Sequence, residues 1–198
     1  MIKTLIFDMG NVIVDFRPQK IYEEATGSVE DGQILFELFM NSGIWHELDR
    51  GVPLNQVIAW TQQKAPQYLH EAIEYVVHHW HEDLILNEAM SNYLLELIPH
   101  YNTYLLSNVS SQFHDFRHRF EILDSFDGLY ISADRKLLKP DQAIYLDFLE
   151  QYQLDPTECY FIDDKEENIL GASEVGIQGH VYDGDLDKLK KAIVELSQ

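Results

Sequence analysis

The run Leu5-Ile6-Phe7-Asp8-Met9-Gly10-Asn11-Val12 constrains the fold more than any other part of the sequence. Three large apolar residues lead straight into an aspartate, and a glycine and an asparagine follow at once. The pattern reads as a buried strand that ends in a carboxylate and then turns sharply. In an open α/β sheet, ligands bind just beyond the carboxyl ends of the strands. Asp8 is therefore expected at the mouth of a site.

Further along, short apolar runs bounded by turn residues alternate with longer helical patterns. Strands are expected at residues 4–9, 103–107, 129–132, 159–163 and 180–182. Helices are expected at residues 87–98, 111–120, 141–151, 166–175 and 186–196. This alternation places the chain in the α/β class, as a Rossmann-like parallel sheet with helices on both faces. The strands are nearly all apolar, as burial on both faces demands. Residues 18–83 break the alternation. They hold no strand pattern, while Ile34-Leu35 and Leu38-Phe39, Val57-Ile58 and Trp60, and Ile73, Val76-Val77 and Trp80 recur at helical spacing. Gly43, Gly51, Pro53 and Pro66 punctuate them. A structureless loop of that length is improbable. The reading is a small α-helical cap domain, residues 18–83, inserted into a core built from residues 1–17 and 84–198. Its aromatic and aliphatic stripes are expected to be core.

Composition narrows the function. The 198 residues suit one main domain with an insert. A formal net charge of −20 argues against nucleic acid, whose phosphates need Lys and Arg to neutralise them, and against anionic membranes. An anionic substrate must be drawn by local positive groups or a metal. Cys159 is the only cysteine, so an intramolecular disulfide and a Cys-based zinc site are excluded. This fits a cytoplasmic protein. The N-terminal segment carries only Lys3 before a strand-like run and is expected to be neither a signal peptide nor a membrane span. His78, His79 and His81 lie close together, but a helix points at least one of them away from the others, and no Cys or carboxylate partner completes a metal set.

Four features fall at strand ends or helix starts: Asp8, Ser107-Asn108, Lys139-Pro140 and Asp163-Asp164. Each alone also suits a turn, a helix cap or a solvated charge. Together they make chemical sense. Clustered carboxylates raise one another's pKa, and a hard cation such as Mg²⁺, which prefers oxygen ligands, removes that cost. Lys139 adds positive charge, and the Ser107 hydroxyl can donate to a phosphoryl oxygen. A carboxylate held against phosphorus can act as a nucleophile and form an aspartyl-phosphate, with positive groups stabilising the transferring phosphoryl.

In this order and on these elements, Asp8, Ser107, Lys139-Pro140 and Asp163-Asp164 resemble the four motifs of the haloacid dehalogenase-like hydrolase superfamily. The resemblance spans essentially the whole chain, cap included. The segments from Phe7 to Asp15 and from Asp163 to Ala172 are similar to the branch containing the bacterial α-D-glucose-1-phosphate phosphatase. The resemblance implies that Asp8 is nucleophile and metal ligand. It implies that the Gly10 carbonyl, Asp163 and Asp164 complete the protein ligands to Mg²⁺. It also implies that Ser107 and Asn108 bind the phosphoryl group, that Lys139 balances its charge, and that the cap closes over the substrate.

One departure stands out. Most phosphatases of this superfamily carry a second aspartate two residues after the nucleophile as general acid and base. Here that position is Gly10, and such help is typically worth about 10²–10⁴ in rate. Either another group or an ordered water takes the role, or the leaving group is good enough to do without, as the anomeric oxygen of a sugar 1-phosphate would be, or the chain is a weak enzyme or none. Asp15 is one substitute, equally readable as a turn carboxylate; Asn11 can hydrogen-bond but not shuttle a proton. In the cap, Trp45-His46-Glu47-Leu48-Asp49-Arg50-Gly51 combines aromatic, acidic and basic groups suited to a sugar, or simply packs a helix end. The expected function is a Mg²⁺-dependent phosphatase of a small phosphorylated metabolite, a sugar phosphate, acting as a monomer or homodimer. The alternatives are a 2-haloacid dehalogenase, or a non-catalytic protein that binds a phosphorylated ligand or a partner.

Overall fold

All four residues of β1 (Thr4–Phe7) are buried, and the strand lies at the centre of the sheet in this computed structural model, which describes residues 1–196. The chain leaves β1 through β2 (Val14–Asp15) into a helical layer: α1 (Pro18–Thr26), α2 (Val29–Phe36) running into a π-helical turn at Glu37–Asn41, α3 (Ile44–Asp49), α4 (Leu54–Gln62) and α5 (His70–His79). It returns through β3 (Ile85–Leu86), then α6 (Glu88–Leu97), β4 (Asn102–Ser107), α7 (Phe113–Phe116), β5 (Gly128–Ile131) and α8 (Ser132–Arg135). It ends with α9 (Gln142–Tyr152), β6 (Cys159–Asp163), α10 (Glu166–Ser173), β7 (Gln178–Val181) and α11 (Leu186–Leu196).

The main sheet has the order β5-β4-β1-β6-β7, and every pair is parallel. Side chains alternate between two cores. Leu5 and Phe7 face a large core that continues into the helical layer. Ile6 faces the other side, against Tyr145, Phe148 and Phe161. This two-sided burial is why the strands read as unbroken apolar runs. The register pairs Phe7 with Leu105 of β4 and with Ile162 of β6. The next residues, Asp8 and Asp163, therefore emerge side by side at the carboxyl edge. Ser107 closes β4 at the same edge. The chain leaves β1 for β4 on one side and reaches β6 on the other, so this is the crevice where α/β sheets bind ligands.

Two features escaped the sequence pattern. The passages into and out of the helical layer pair as an antiparallel ribbon, Val14 with Leu86 and Asp15 with Ile85. Two-residue strands are too short to show a period. The helix expected at residues 111–120 is reduced to α7, followed by 3₁₀ turns at Arg117–Arg119 and Glu121–Ser125. Phe113, Phe116, Phe120, Ile122, Leu123 and Phe126 are all buried there. One helix offers a single apolar stripe, and burying that many residues requires the chain to coil in short turns.

The helical layer is tied to the sheet at the end of α3. The Ser132 hydroxyl donates to the Asp49 carbonyl at 2.6 Å and accepts from the Val109 amide at 2.9 Å. Gly51, at φ +85°, lies so close that a Cβ there would meet the Ala133 carbonyl oxygen at 2.6 Å. Among the described residues, no helix is long and apolar enough to cross a membrane. Gly51→Ala is expected to lower the unfolding free energy by about 1–2 kcal/mol from left-handed backbone alone, plus the cost of the contact with Ala133. Urea denaturation followed by tryptophan fluorescence measures it.

Candidate active site

Four strand-end features of the sequence meet at one point. Lys139 is fully enclosed, yet its ammonium carries three hydrogen bonds: to Asp8 Oδ1 at 2.7 Å, to Asp163 Oδ2 at 2.7 Å and to the Leu106 carbonyl at 3.0 Å. An ammonium has three hydrogens to donate, so all are used. Burial alone would lower the Lys139 pKa, but Asp163 and Asp8 overcome it and hold the group charged, above its usual value. Asn108 fixes the lysine from outside. Its Nδ2 donates to the Lys139 carbonyl and its Oδ1 accepts from the Lys139 amide, both at 2.9 Å. The Lys139-Pro140 peptide is cis.

The two adjacent aspartates differ. Asp163 is wholly buried. Besides Lys139 it accepts from Asn168 Nδ2 on both oxygens, at 2.9 Å, and from the Lys165 amide at 2.8 Å. Asp164 faces a cavity and accepts from Asn11 Nδ2 at 2.8 Å. Asn11 sits in left-handed backbone at φ 56° and also accepts the Phe16 amide, clamping the turn after β1. Asn168 was not singled out in the sequence. The signal that marks it is a polar residue five positions after a strand-end acid, on the first turns of the following helix.

One ammonium does not balance the acids. Oxygen atoms of Asp8, Asp163 and Asp164 lie within 4.8 Å of one another. Burial pushes the Asp8 carboxyl above its ordinary range. Lys139 pulls it back, and the charges of Asp163 and Asp164 raise it again. A set of hard oxygen donors with surplus negative charge fits a divalent cation of the Mg²⁺ class. Among the described residues, no other cluster of metal-ligating side chains has this closeness. His79 instead pairs with Glu82 at 2.8 Å.

These elements, in this order and geometry, agree with a family model for haloacid dehalogenase-like hydrolases that matches residues 2–176. The chain belongs to the haloacid dehalogenase-like hydrolase family. It is 28% identical to the sesquiterpene phosphatase astK of Aspergillus oryzae, over 91% of this chain and 90% of that one. It is 25% identical to the D-ribitol-5-phosphate phosphatase of Bacteroides thetaiotaomicron, over 90% of each. Its fold matches that of a haloacid dehalogenase-family enzyme of Bacteroides thetaiotaomicron crystallised with magnesium and inorganic phosphate. The TM-score is 0.75 and the identity 24%, over 93% of this chain and 96% of that one.

In this hydrolase, Asp8, Gly10, Ser107, Asn108, Lys139 and Asp164 line a cavity of about 100 Å³ roofed by Phe16, Trp45 and Trp80. The three rings pack mutually, with centroids 5.6–5.9 Å apart. His46 and Lys139 also border a wider cleft of about 540 Å³, which reaches Glu47, Arg50, Trp60, Gln63 and Lys64. A Cβ on Gly10 would meet nothing within 4 Å, so space does not dictate glycine there. Asp15 lies outside the cavity and pairs with Arg17 at 2.9 Å, as a surface carboxylate does.

Asp49 lines the same cavity and is 6% exposed. Burial pushes its carboxyl up to about 8. Lys165 draws it down, Asp8 raises it, and Lys139 lowers it. A carboxyl whose folded pKa is raised stabilises the fold fully only below its ordinary value of 3.8, and loses that stability as pH climbs through about 8. Asp49→Asn, which keeps the neutral shape, is therefore expected to gain in Tm relative to wild type as pH rises from 4 to 8. The difference should then level off. Thermal unfolding across that range checks the sign.

Proposed function

We propose that the chain is a Mg²⁺-dependent phosphatase that hydrolyses a small phosphate monoester, a sugar phosphate, through an aspartyl-phosphate on Asp8. The observation that carries this reading is the buried Asp8–Lys139–Asp163 bridge, with Asp164 beside it on an open cavity. The bridge fixes one Asp8 oxygen and leaves the carboxylate at the cavity floor to attack phosphorus. The phosphatase names of the curated relatives agree. A 2-haloacid dehalogenase has no use for a third carboxylate at this point.

The roles divide as follows in this reading. Asp8, Asp164 and the Gly10 carbonyl would hold the metal; Asp163, saturated by four hydrogen bonds, holds Lys139 and Asn168. When bound, the cation supplies positive charge to the non-bridging phosphoryl oxygens. The Ser107 hydroxyl and the Asn108 amide N–H receive another of those oxygens, since the Asn108 side chain is committed to Lys139. Lys139 offsets the charge of Asp8 as the phosphoryl arrives. Residues 18–83 act as the cap domain on a core of residues 1–17 and 84–198, and Phe16, Trp45 and Trp80 exclude water.

Size also bears on the substrate. The chamber beside Asp8, about 100 Å³, is far smaller than the adjoining cleft of about 540 Å³, so the phosphoryl group is assigned to the chamber. The rest of the substrate lies in the wider cleft, where Arg50, Lys64, Gln63 and Glu47 offer hydrogen bonds and Trp60 a flat apolar face. That lining suits a polyhydroxylated leaving group.

With Mg²⁺ and a panel of phosphate monoesters, the enzyme is expected to release phosphate, and a chelator should abolish release. Asp8→Asn should lower turnover by at least about 10⁴-fold, as loss of an essential nucleophile does. Phosphate release by Asp8→Asn at the wild-type rate, or turnover indifferent to chelator, would contradict the proposal.

A further inference from the structure

The missing carboxylate at Gly10 leaves the chemistry short of a proton donor. A carboxyl elsewhere in the cavity is placed to serve. Asp49 ends α3, one turn after Trp45, so the two side chains point the same way along the helix. Both line the chamber that holds Asp8. Asp49 is almost fully enclosed, and among the described residues neither oxygen of its carboxyl has a hydrogen-bond partner. The carboxyl lines the cavity instead of being tied to the protein. Its backbone, by contrast, is held firmly. Ser132 Oγ donates to its carbonyl, and Gly51 locks the following turn against Ala133. A carboxyl carried on so fixed a backbone, lining the chamber beside Asp8, is placed to meet a ligand atom there.

We infer that Asp49 of the cap is the general acid and base of this phosphatase, in place of the second aspartate that Gly10 cannot supply. The inference rests on the phosphatase reading above. In the first step an Asp8 oxygen bonds to phosphorus while the bond from phosphorus to the leaving oxygen breaks. Asp49 gives its proton to that oxygen, releasing an alcohol and becoming a carboxylate. In the second step Asp49 takes a proton from water as the water oxygen bonds to phosphorus. The Asp8–phosphorus bond breaks, and inorganic phosphate leaves with both aspartates restored. The charged groups facing Asp49 in the chamber are Asp8, Asp164, Lys139 and Lys165, with His46 at its rim. Burial among them keeps the carboxyl protonated near neutral pH, as the first step requires. The acid comes from the helical layer, so the reaction requires that layer to be seated on the sheet.

The test is leaving-group dependence. Wild type, Asp49→Asn, Asp49→Glu and Asp8→Asn are compared with Mg²⁺ on an alkyl phosphate and on 2,4-dinitrophenyl phosphate, whose phenolate leaves without a proton. Asp49→Asn is expected to lose about 10²–10⁴-fold in kcat/KM on the alkyl ester, and less than about tenfold in the first-turnover burst of dinitrophenolate. Asp49→Glu, which keeps the carboxyl, should recover part of the loss, and Asp8→Asn should be inactive on both. Equal losses of Asp49→Asn on the two esters, or no loss, would overturn the inference while leaving the phosphatase reading intact. If wild type released phosphate from neither ester, the phosphatase reading would fail and this inference with it.

Discussion

The Lys139 ammonium organises the molecule. It is buried, and it joins the ends of β1, β4 and β6 through Asp8, the Leu106 carbonyl and Asp163. Desolvating an ammonium costs several kcal/mol, and only close, fully hydrogen-bonded partners repay it. Here all three hydrogens are placed, and the Phe161 ring lies 5.1 Å from the nitrogen. Removing one member of such a set leaves an unpaired buried charge, which costs more than the pair contributes. The bridge can exist only because the parallel register sets Phe7 opposite both Leu105 and Ile162. A register slip would turn Asp8 to the other face of the sheet. The chemistry therefore depends on the pairing of the central strand.

The same bridge sets up the site's imbalance. Three acids share one ammonium, so surplus negative charge stays at the cavity floor. A bound divalent cation would relieve it and leave positive charge facing an incoming phosphoryl group. Against a net charge of −20, an anionic substrate meets Lys165 at the chamber and Arg50 and Lys64 on the cleft wall.

Much of this was legible in the sequence because its causes are local. A strand buried on both faces must be apolar, and a carboxylate at its end must face the crevice. Hence β1, β4, β5 and β6, and the strand-end positions of Asp8, Ser107 and Asp163, are readable from short runs, whereas Lys139 stands out only through the family resemblance. What escaped depends on tertiary contact. The difference between Asp163 and Asp164 follows from the side chain of Asn168, on the next helix. The commitment of the Asn108 side chain to Lys139 was likewise invisible, because thirty-one residues separate them. The run from Trp45 to Gly51 is chemically mixed, and its sequence alone does not separate its acids. Only the docking of α3 onto Ser132 and Ala133 distinguishes Asp49, which faces the chamber, from Glu47, which lies on the outer cleft.

The central claim is that the bridged Asp8 carboxylate forms a bond to phosphorus. The most direct measurement is rapid acid quench during turnover of an aryl phosphate, then proteolysis and mass spectrometry of the peptides. The account predicts a phosphoryl group on the peptide bearing Asp8, absent when Mg²⁺ is chelated. A phosphoryl group on another residue, or steady phosphate release with no phosphorylated peptide at any quench time, would contradict it.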